Sequence, residues 1–458
     1  MYEVNFNHPV KVHFMGIGGI SMSGLADILK ARGFTVTGSD NTPSDITRHL
    51  EAMGIPVACP QAAENISPGT DLVVYTAAIH PDNPEYIQAQ EMNLPMLNRA
   101  ELLGQIMEHY KRSICVAGTH GKTTTTSMIA QILLRGKDDP TISVGGILDA
   151  IHSNIHVGDS DLFLAEACEY TNSFHHFFPK YNVILNVEED HMDFFHDLNE
   201  ILESFHTFAT NTAEDGCLVI GGEIKGYDVI TKDLKCKIIT YGFAETNDYY
   251  PTDITYDETG CASFTPMAFQ KPLDRITLHI PGAHNIGNAL ASIAITREMN
   301  IPYKEISLGL SDFHGAQRRF EYKGTCHGAT VIDDYAHHPT EIAASMATAK
   351  NYPHKRLIVV FQPHTYTRTK AFLDDFAKTL APADLVILAK IYAAREQDIY
   401  GVSGDDIRQR LEKMGAKALY FETFEEIEKY LKKNLVNDDL LITMGAGNVV
   451  EVGEALLK

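Results

Sequence analysis

Residues 113–128, SICVAGTHGKTTTTSM, carry an apolar run into a glycine turn, a lysine and four threonines, and then into a segment whose Met128, Ile129, Ile132 and Leu133 recur at helical spacing. A strand that ends in a glycine loop and continues as a helix is the building unit of open α/β sheets, and its turn is where such sheets hold phosphate. The loop departs from the usual GxxxxGK[ST] pattern, because Val116 stands where the first glycine belongs. What is left is a shortened loop, GTHGKT. Its backbone amides from Gly118 through Thr119, His120 and Gly121 to Thr123 can cradle phosphates, Lys122 can neutralise the β and γ groups, and the Thr123 hydroxyl can ligate Mg²⁺. His120 either faces nucleotide or fills the turn.

Two further blocks repeat the theme. VKVHFMG, GIGGISMSGLADILKARG and FTVTGSD form a strand–loop–helix–strand unit, extended by strands at DLVVYTAA and LPMLNR and left through the helix AELLGQIMEHY. Gly16, Gly18, Gly19 and Gly24 miss the GxGxxG spacing, since Ser21 stands where the last glycine would be, while Asp40 ends the next strand as in a dinucleotide site. A diphosphate-bearing ligand is expected here, NAD or another; glycines that only permit a tight turn are the plainer alternative. The central block continues through DLFLAEA, YNVILNV and CLVIGG and a polar, turn-rich stretch, TNDYYPTDITYDETGCASF, to the helix HNIGNALASIAITREM. From about residue 315, ATVIDDY, RLIVVF, DLVILAK, ALYF and DLLITMGAG alternate with helices, which predicts a third sheet, at least partly parallel. At roughly 150 residues per domain, a chain of this length is expected to form three α/β domains, over 1–107, 108–313 and 314–458.

Composition removes several functions. A net charge of −22 repels nucleic-acid phosphates, so no nucleic-acid partner is expected and any phosphate contact must be local. Apolar runs are too short for a membrane span, and MYEVNFNHPVKVHF lacks a basic segment followed by an apolar one, so a cytoplasmic protein without membrane insertion is expected. Seven scattered cysteines without CxxC spacing argue against disulfides and thiolate metal sites.

Polar residues crowd the remaining strand ends. Glu166 ends DLFLAEA, and Glu188, Glu189, Asp190 and His191 follow YNVILNV, offering oxygen ligands for Mg²⁺. Asn285 and Asn288 share the first turn of one helix, where capping accounts for one asparagine and not readily for both. RRFE supplies Arg318 and Arg319 as fork donors. IDDYAHHP brings Asp333, Asp334, Tyr335, His337 and His338; FQPHTYTR brings His364, Tyr366 and Arg368; LAKIYAAREQD brings Lys390 and Arg395. Three successive ends of this kind mark a functional site.

In order along the chain, MGIGGISMSGLA, AGTHGKTTTT, the Glu166 strand, NVEEDHMD, HNIGNALA, RRFE, DDYAHHPTEI, FQPHTYTR and IYAAREQDIYGVSG resemble the motifs of the Mur ligase family over nearly the whole length. The resemblance implies an α/β architecture of three domains: an N-terminal Rossmann-like domain binding a UDP-linked substrate, a central P-loop-type mononucleotide-binding ATPase, and a C-terminal Rossmann-like domain that completes the ATP and amino-acid sites. It implies ATP-dependent amide formation in peptidoglycan synthesis, with Mg²⁺ or Mn²⁺. The γ-phosphoryl group passes to the lactyl carboxylate of UDP-N-acetylmuramate, and the amine of L-alanine then displaces phosphate. By the same resemblance Lys122, Glu166, His191, His337 and Arg368 are catalytic; Thr123, Glu166 and His191 hold the metal. Thr124 joins the loop at the nucleotide, Asn285 meets the adenine, and Arg319 and Asp333 line the nucleotide site. Tyr335, His337, His364 and Arg368 face the amino acid or its acceptor. Gly16, Gly18, Gly19, Ser21, Met22, Ser23, Asp40, Ala78 in the TAAI turn and Arg99 touch the UDP-sugar. The assembly expected is a monomer or homodimer.

Subtypes differ in detail. No lysine lies between His191 and Lys225, so the carbamylated lysine of relatives that add later residues has no close equivalent, which resembles the alanine-adding branch. A branch that attaches a whole tripeptide to the same UDP-sugar shares most motifs. Thr365 stands where some relatives carry arginine. From other classes, an NAD-dependent oxidoreductase leaves AGTHGKTTTT without purpose, and a nucleotide-gated binding protein leaves the three polar strand ends unexplained.

Overall fold

The computed structural model describes residues 2–458 except 77, 137, 193 and 395. Ala77 of the TAAI turn, Asp193 of NVEEDHMD and the strand-end Arg395 lie outside the described residues. Two compact units form: Met1–Glu188 with Leu198–Thr240 and Ile295–Ile301, and Glu189–Asp197 with Tyr241–Ala294 and Pro302–Lys458.

The first unit opens with β1 (Lys11–Met15), β2 (Thr35–Ser39), β3 (Val57–Ala58), β4 (Leu72–Tyr75) and β5 (Met96–Asn98), all parallel in the order β3-β2-β1-β4-β5. Val12, Phe14, Val73 and Val74 are fully buried, because crossover helices cover both faces of a parallel sheet. Its second sheet is built from β6 (Arg112–Ala117), β7 (Thr141–Leu148), β8 (Ser153–His156), β9 (Leu162–Glu166), β10 (Tyr181–Ile184), β11 (Cys217–Gly221) and β12 (Lys237–Tyr241). They lie in the order β8-β7-β9-β6-β10-β11-β12, with β8 antiparallel to β7 and β6 parallel to both of its neighbours. The glycine loop at the end of β6 therefore lies between the ends of β9 and β10, where the polar residues Glu166 and Asn186 follow.

The two blocks of this unit are seated on each other by a close backbone approach. Gly104 lies in the helix Arg99–Met107, and a Cβ there would stand 2.0 Å from the His176 carbonyl oxygen. Only glycine lets the helix lie this near the turn at 170–176.

In the second unit, β13 (Tyr249–Tyr256), β14 (Cys261–Ala268), β15 (Lys271–Pro272) and β16 (Ile276–Pro281) form an antiparallel group. The stretch that reads as polar and turn-rich is thus largely strand. Its alternation shows in burial, with Ala262, Phe264 and Ala268 inward on β14, while the outward positions carry Ser263 and Thr265. A last sheet contains β17 (Glu321–Cys326), β18 (Ala329–Asp334), β19 (Arg356–Phe361), β20 (Leu385–Leu388), β21 (Ala418–Tyr420) and β22 (Asp439–Met444), in the order β17-β18-β22-β19-β20-β21. The parallel part matches expectation; β17 pairs antiparallel and was hidden by its polar sequence, EYKGTC. β22 is last in the chain yet lies between β18 and β19, which sets the Asp333–Asp334 end beside Thr443 and Met444. Among the described residues, no helix is long and apolar enough to cross a membrane.

Candidate active site

Gly121 takes the left-handed φ of 84° that lets the helix Lys122–Arg135 start abruptly after the turn. Asn186, past the end of β10, holds the loop from the side. Its carbonyl accepts from the Thr119 amide at 3.1 Å, its Oδ1 from the His120 amide at 2.8 Å, and its Nδ2 donates to the His120 carbonyl at 3.0 Å. The His120 backbone is therefore part of the turn, while its ring Nε2 lies 3.4 Å from Glu188 Oε2.

Lys122 Nζ donates to the carbonyls of Gly118 at 2.5 Å and Thr119 at 3.2 Å, and to both oxygens of Glu169 at 3.0 and 2.9 Å. Burial pulls its pKa down, but the neighbouring Glu169, Cys168 and Glu166 outweigh that and hold it above the ordinary lysine value. The ammonium is charged throughout the neutral range. Glu166 Oε2 accepts from Thr123 Oγ1 at 2.9 Å and from the Gly145 amide at 2.8 Å. A hydroxyl and a carboxylate in contact are hard oxygen donors, so these residues fit Mg²⁺. His191, the third expected ligand, belongs to the second unit.

The N-terminal glycine loop is tied to Asp40, whose Oδ2 accepts from the Gly18 amide at 2.8 Å, and the Gly19 amide donates to Gly16 O at 3.2 Å. Met22 is buried and Ser23 Oγ donates to Ile20 O, so both side chains serve the helix. Ser21 and Arg99 meet, with Arg99 Nη1 donating to Ser21 Oγ at 3.0 Å. Ala78 is exposed in the turn after β4. Burial, then Glu169, pushes the Cys168 thiol up to about 11, against the pull of Lys122 and Arg99. Arg99 thus acts electrostatically on the segment that faces Lys122.

In the second unit the Arg318 fork binds Asp333 Oδ2 at 2.9 Å, Gly447 O at 2.9 Å and Gly445 O at 2.7 Å, and Thr443 donates to Asp333 Oδ1 at 2.7 Å. Asp333 is thus paired with Arg318, while Arg319 lies over the Tyr335 ring at 5.1 Å. Asn285 and Asn288 are both used: Asn285 Nδ2 donates to Pro281 O at 2.7 Å and its Oδ1 accepts from Asn288 at 2.9 Å. Arg368 Nη2 donates to Asp190 Oδ1 at 2.9 Å, with both side chains about nine-tenths buried, and its Nη1 lies 3.4 Å from His364 Nδ1. Burial would raise Asp190, but Arg368, His191 and His338 hold it well below the usual carboxylate range. Asp190 Oδ1 also accepts from the His191 amide at 2.7 Å.

Burial pushes His337 down to about 4 against Glu341, so it is neutral at pH 7. Its Nδ1 lies 2.9 Å from the Tyr335 carbonyl, which fixes the proton there and leaves Nε2 as an acceptor. Its ring meets His364 edge-on at 5.8 Å, and His364 stacks on Tyr392 at 5.6 Å.

Sequence reasoning missed Glu169, which is 3% exposed, and gave Asn186 no role. Asn186 sits in the quoted motif NVEEDHMD and Glu169 lies two residues past DLFLAEA, but their work on a backbone from another strand and on a lysine leaves no periodic signal.

Three family models match in chain order: "Mur ligase family, catalytic domain" over residues 11–111, "Mur ligase middle domain" over 116–296, and "Mur ligase, glutamate ligase domain" over 318–447. The chain belongs to the Mur ligase family. Its relatives include the UDP-N-acetylmuramate–L-alanine ligases of Agathobacter rectalis, 59% identical over 458 residues, and Lachnospira eligens, 54% identical over 459, each with both chains covered in full. Among solved structures, the UDP-N-acetylmuramate–alanine ligase MurC of Thermotoga maritima matches with a TM-score of 0.83 at 29% identity over 98% of both chains. A murein peptide ligase of Psychrobacter arcticus shares the fold, with a TM-score of 0.73 at 23% identity and 98% of both chains covered. The three Mur ligase segments begin near β1, at the phosphate loop and at Arg318.

Proposed function

We propose that this chain is an ATP-dependent ligase that joins L-alanine to the lactyl carboxylate of UDP-N-acetylmuramate, a cytoplasmic step in building peptidoglycan precursors, with domains over 1–107, 108–313 and 314–458. The observation that carries this reading is that one unit holds Lys122, Thr123 and Glu166 at the phosphate loop together with the Ser21–Arg99 pair of the other glycine loop. Full-length identity to alanine-adding relatives supports the substrate pair.

A carboxylate is a poor acyl donor at neutral pH, and phosphorylation gives it a leaving group. The loop amides and Lys122 bind and orient the phosphates of ATP, so that a lactyl oxygen attacks the γ-phosphorus and ADP departs. Thr123 and Glu166 would hold Mg²⁺, and the ion would neutralise phosphate charge; the expectation for His191 rests on the family resemblance alone. Arg99, helped by Ser21, positions the UDP-sugar. In the second half-reaction the amine attacks the acyl carbon and phosphate leaves. The amine attacks in its neutral form, and neutral His337 offers Nε2 as a hydrogen-bond acceptor. Asp190 fixes the Arg368 guanidinium toward the amino-acid side.

The test is phosphate release measured with Mg²⁺-ATP, UDP-N-acetylmuramate and separate amino acids or peptides. Release that depends on both the UDP-sugar and L-alanine is expected. Release without the acceptor sinks the ligase reading, and preference for a tripeptide selects the recycling branch instead.

A further inference from the structure

We propose that Glu169 competes with the terminal phosphates of ATP for the Lys122 ammonium, so that nucleotide enters the loop by charge-for-charge exchange at that lysine. This deepens, and rests on, the reading of GTHGKT as the ATP loop.

An ammonium has three protons. Lys122 directs them at Gly118 O, Thr119 O and the two Glu169 oxygens, at distances from 2.5 to 3.2 Å, and curls back over its own loop to do so. A phosphate oxygen can be bound only when one of these partners gives way. The carbonyls belong to a backbone clamped by Asn186. Glu169 is the partner whose loss an incoming phosphate replaces in kind, one anionic oxygen for another. It does not swing out freely. It is 3% exposed, and the residues after it are turned by Thr171 and Asn172 at left-handed φ of 54° and 56°, a costly conformation for a β-branched residue. Ser204 Oγ holds that turn by donating to Asn172 Oδ1 at 2.6 Å. Glu169 therefore stays near the lysine and opposes the arriving negative charge, which makes it a positioning residue that sets how tightly polyphosphate binds.

The test is calorimetric titration of the full-length protein with adenylyl imidodiphosphate plus Mg²⁺, and separately with AMP, in wild type and Glu169→Gln. Glu169→Gln is expected to bind the triphosphate analogue about three- to tenfold more tightly while its AMP affinity stays unchanged, a shift in ratio that loss of a structural contact does not produce. Equal or weaker analogue binding by the folded variant overturns the proposal. If Glu169→Gln does not fold, Glu169→Asp, with its carboxylate one methylene short, must shift the ratio in the same direction by less, and no shift overturns the proposal. A wild type that binds AMP but gains nothing from the β and γ phosphates overturns the ATP-loop reading and this inference together.

Discussion

Alanine at position 104 adds a single methyl group inside the helix Arg99–Met107, and in an unencumbered helix that change gains about 1 kcal/mol. Here the new Cβ would lie 2.0 Å from the His176 carbonyl oxygen and 3.0 Å from its carbon, where ordinary contact begins at 3.4 Å. The carbonyl is not free to move, because Asn211 Nδ2 donates to the carbonyls of His175 and Phe177 on either side of it. The helix must retreat by more than 1 Å. Overpacking of this kind costs about 1–3 kcal/mol, and more where backbone must yield, so the net loss after the helix gain is about 2 kcal/mol. The functional consequence follows from Arg99, which opens the same helix and reaches Ser21 at 3.0 Å. A displacement of about 1 Å at a positioning group lowers turnover by up to about 10²-fold. Gly104→Ala is therefore expected to lower kcat/KM for the UDP-sugar by about 10- to 100-fold, while ATP-analogue affinity at the Lys122 loop changes by less than about twofold. Calorimetric unfolding and phosphate-release kinetics read the two effects. Gly54→Ala is the control: its φ is 80° and nothing lies within 4 Å of the added carbon, so it costs about 1 kcal/mol of backbone strain and leaves the kinetics alone. A Gly104→Ala protein as stable and as active as wild type would show that the helix does not rest on the turn.

Glu166→Gln removes a charge from the Thr123 pair and should raise the Mg²⁺ concentration for half-maximal turnover at least about tenfold; an unchanged metal requirement takes Glu166 out of that role. Asp190→Asn leaves the Arg368 guanidinium, nine-tenths buried, without its carboxylate, and should cost about 3 kcal/mol and speed amide exchange across residues 189–197; wild-type protection there refutes the clamp. Asp334 is buried beside Ser345 Oγ, and burial pushes its carboxyl up to about 6 from an ordinary 3.8. A carboxyl raised in the folded state contributes stability that is complete below pH 3.8 and lost as pH rises through about 6, here about 3 kcal/mol. Asp334→Asn should abolish that decline between pH 4 and 7, read from thermal unfolding across the range, and a slope as steep as wild type contradicts it.

Legibility followed the physics of each signal. β1, β6, β9 and β10 could be read because parallel strands covered on both faces are continuous apolar runs, and their glycine or acidic ends stood out against them. β13, β14 and β17 were obscured because each exposes polar residues along one face, and tyrosine, threonine and proline within them read as turn. Lys122, Thr123 and Glu166 were legible as a group because chemistry demands those types at strand ends, and the structure joins the last two by a 2.9 Å hydrogen bond. Asp333 was legible as polar but not as the partner of Arg318, since pairing depends on β22 entering between β18 and β19, an order no local pattern announces.

The motif NVEEDHMD illustrates why a correct motif underdetermines its use. Its first residues act on the phosphate loop: Asn186 clamps His120 on both sides, and the Glu188 amide donates to Thr119 Oγ1 at 2.9 Å. Its later residues act elsewhere, with Asp190 taking the Arg368 guanidinium and, through Oδ1, the His191 amide, a bond that helps hold His191 at a left-handed φ of 54°. The division falls after Glu188, where the chain passes from the first unit to the second. Strain of this kind persists only where surrounding bonds over-determine it, and a buried ion pair supplies such a bond. The Asp190 carboxylate, held by Arg368, thus helps set the backbone of His191, so a substitution at Asp190 should perturb His191 while leaving the His120 clamp intact.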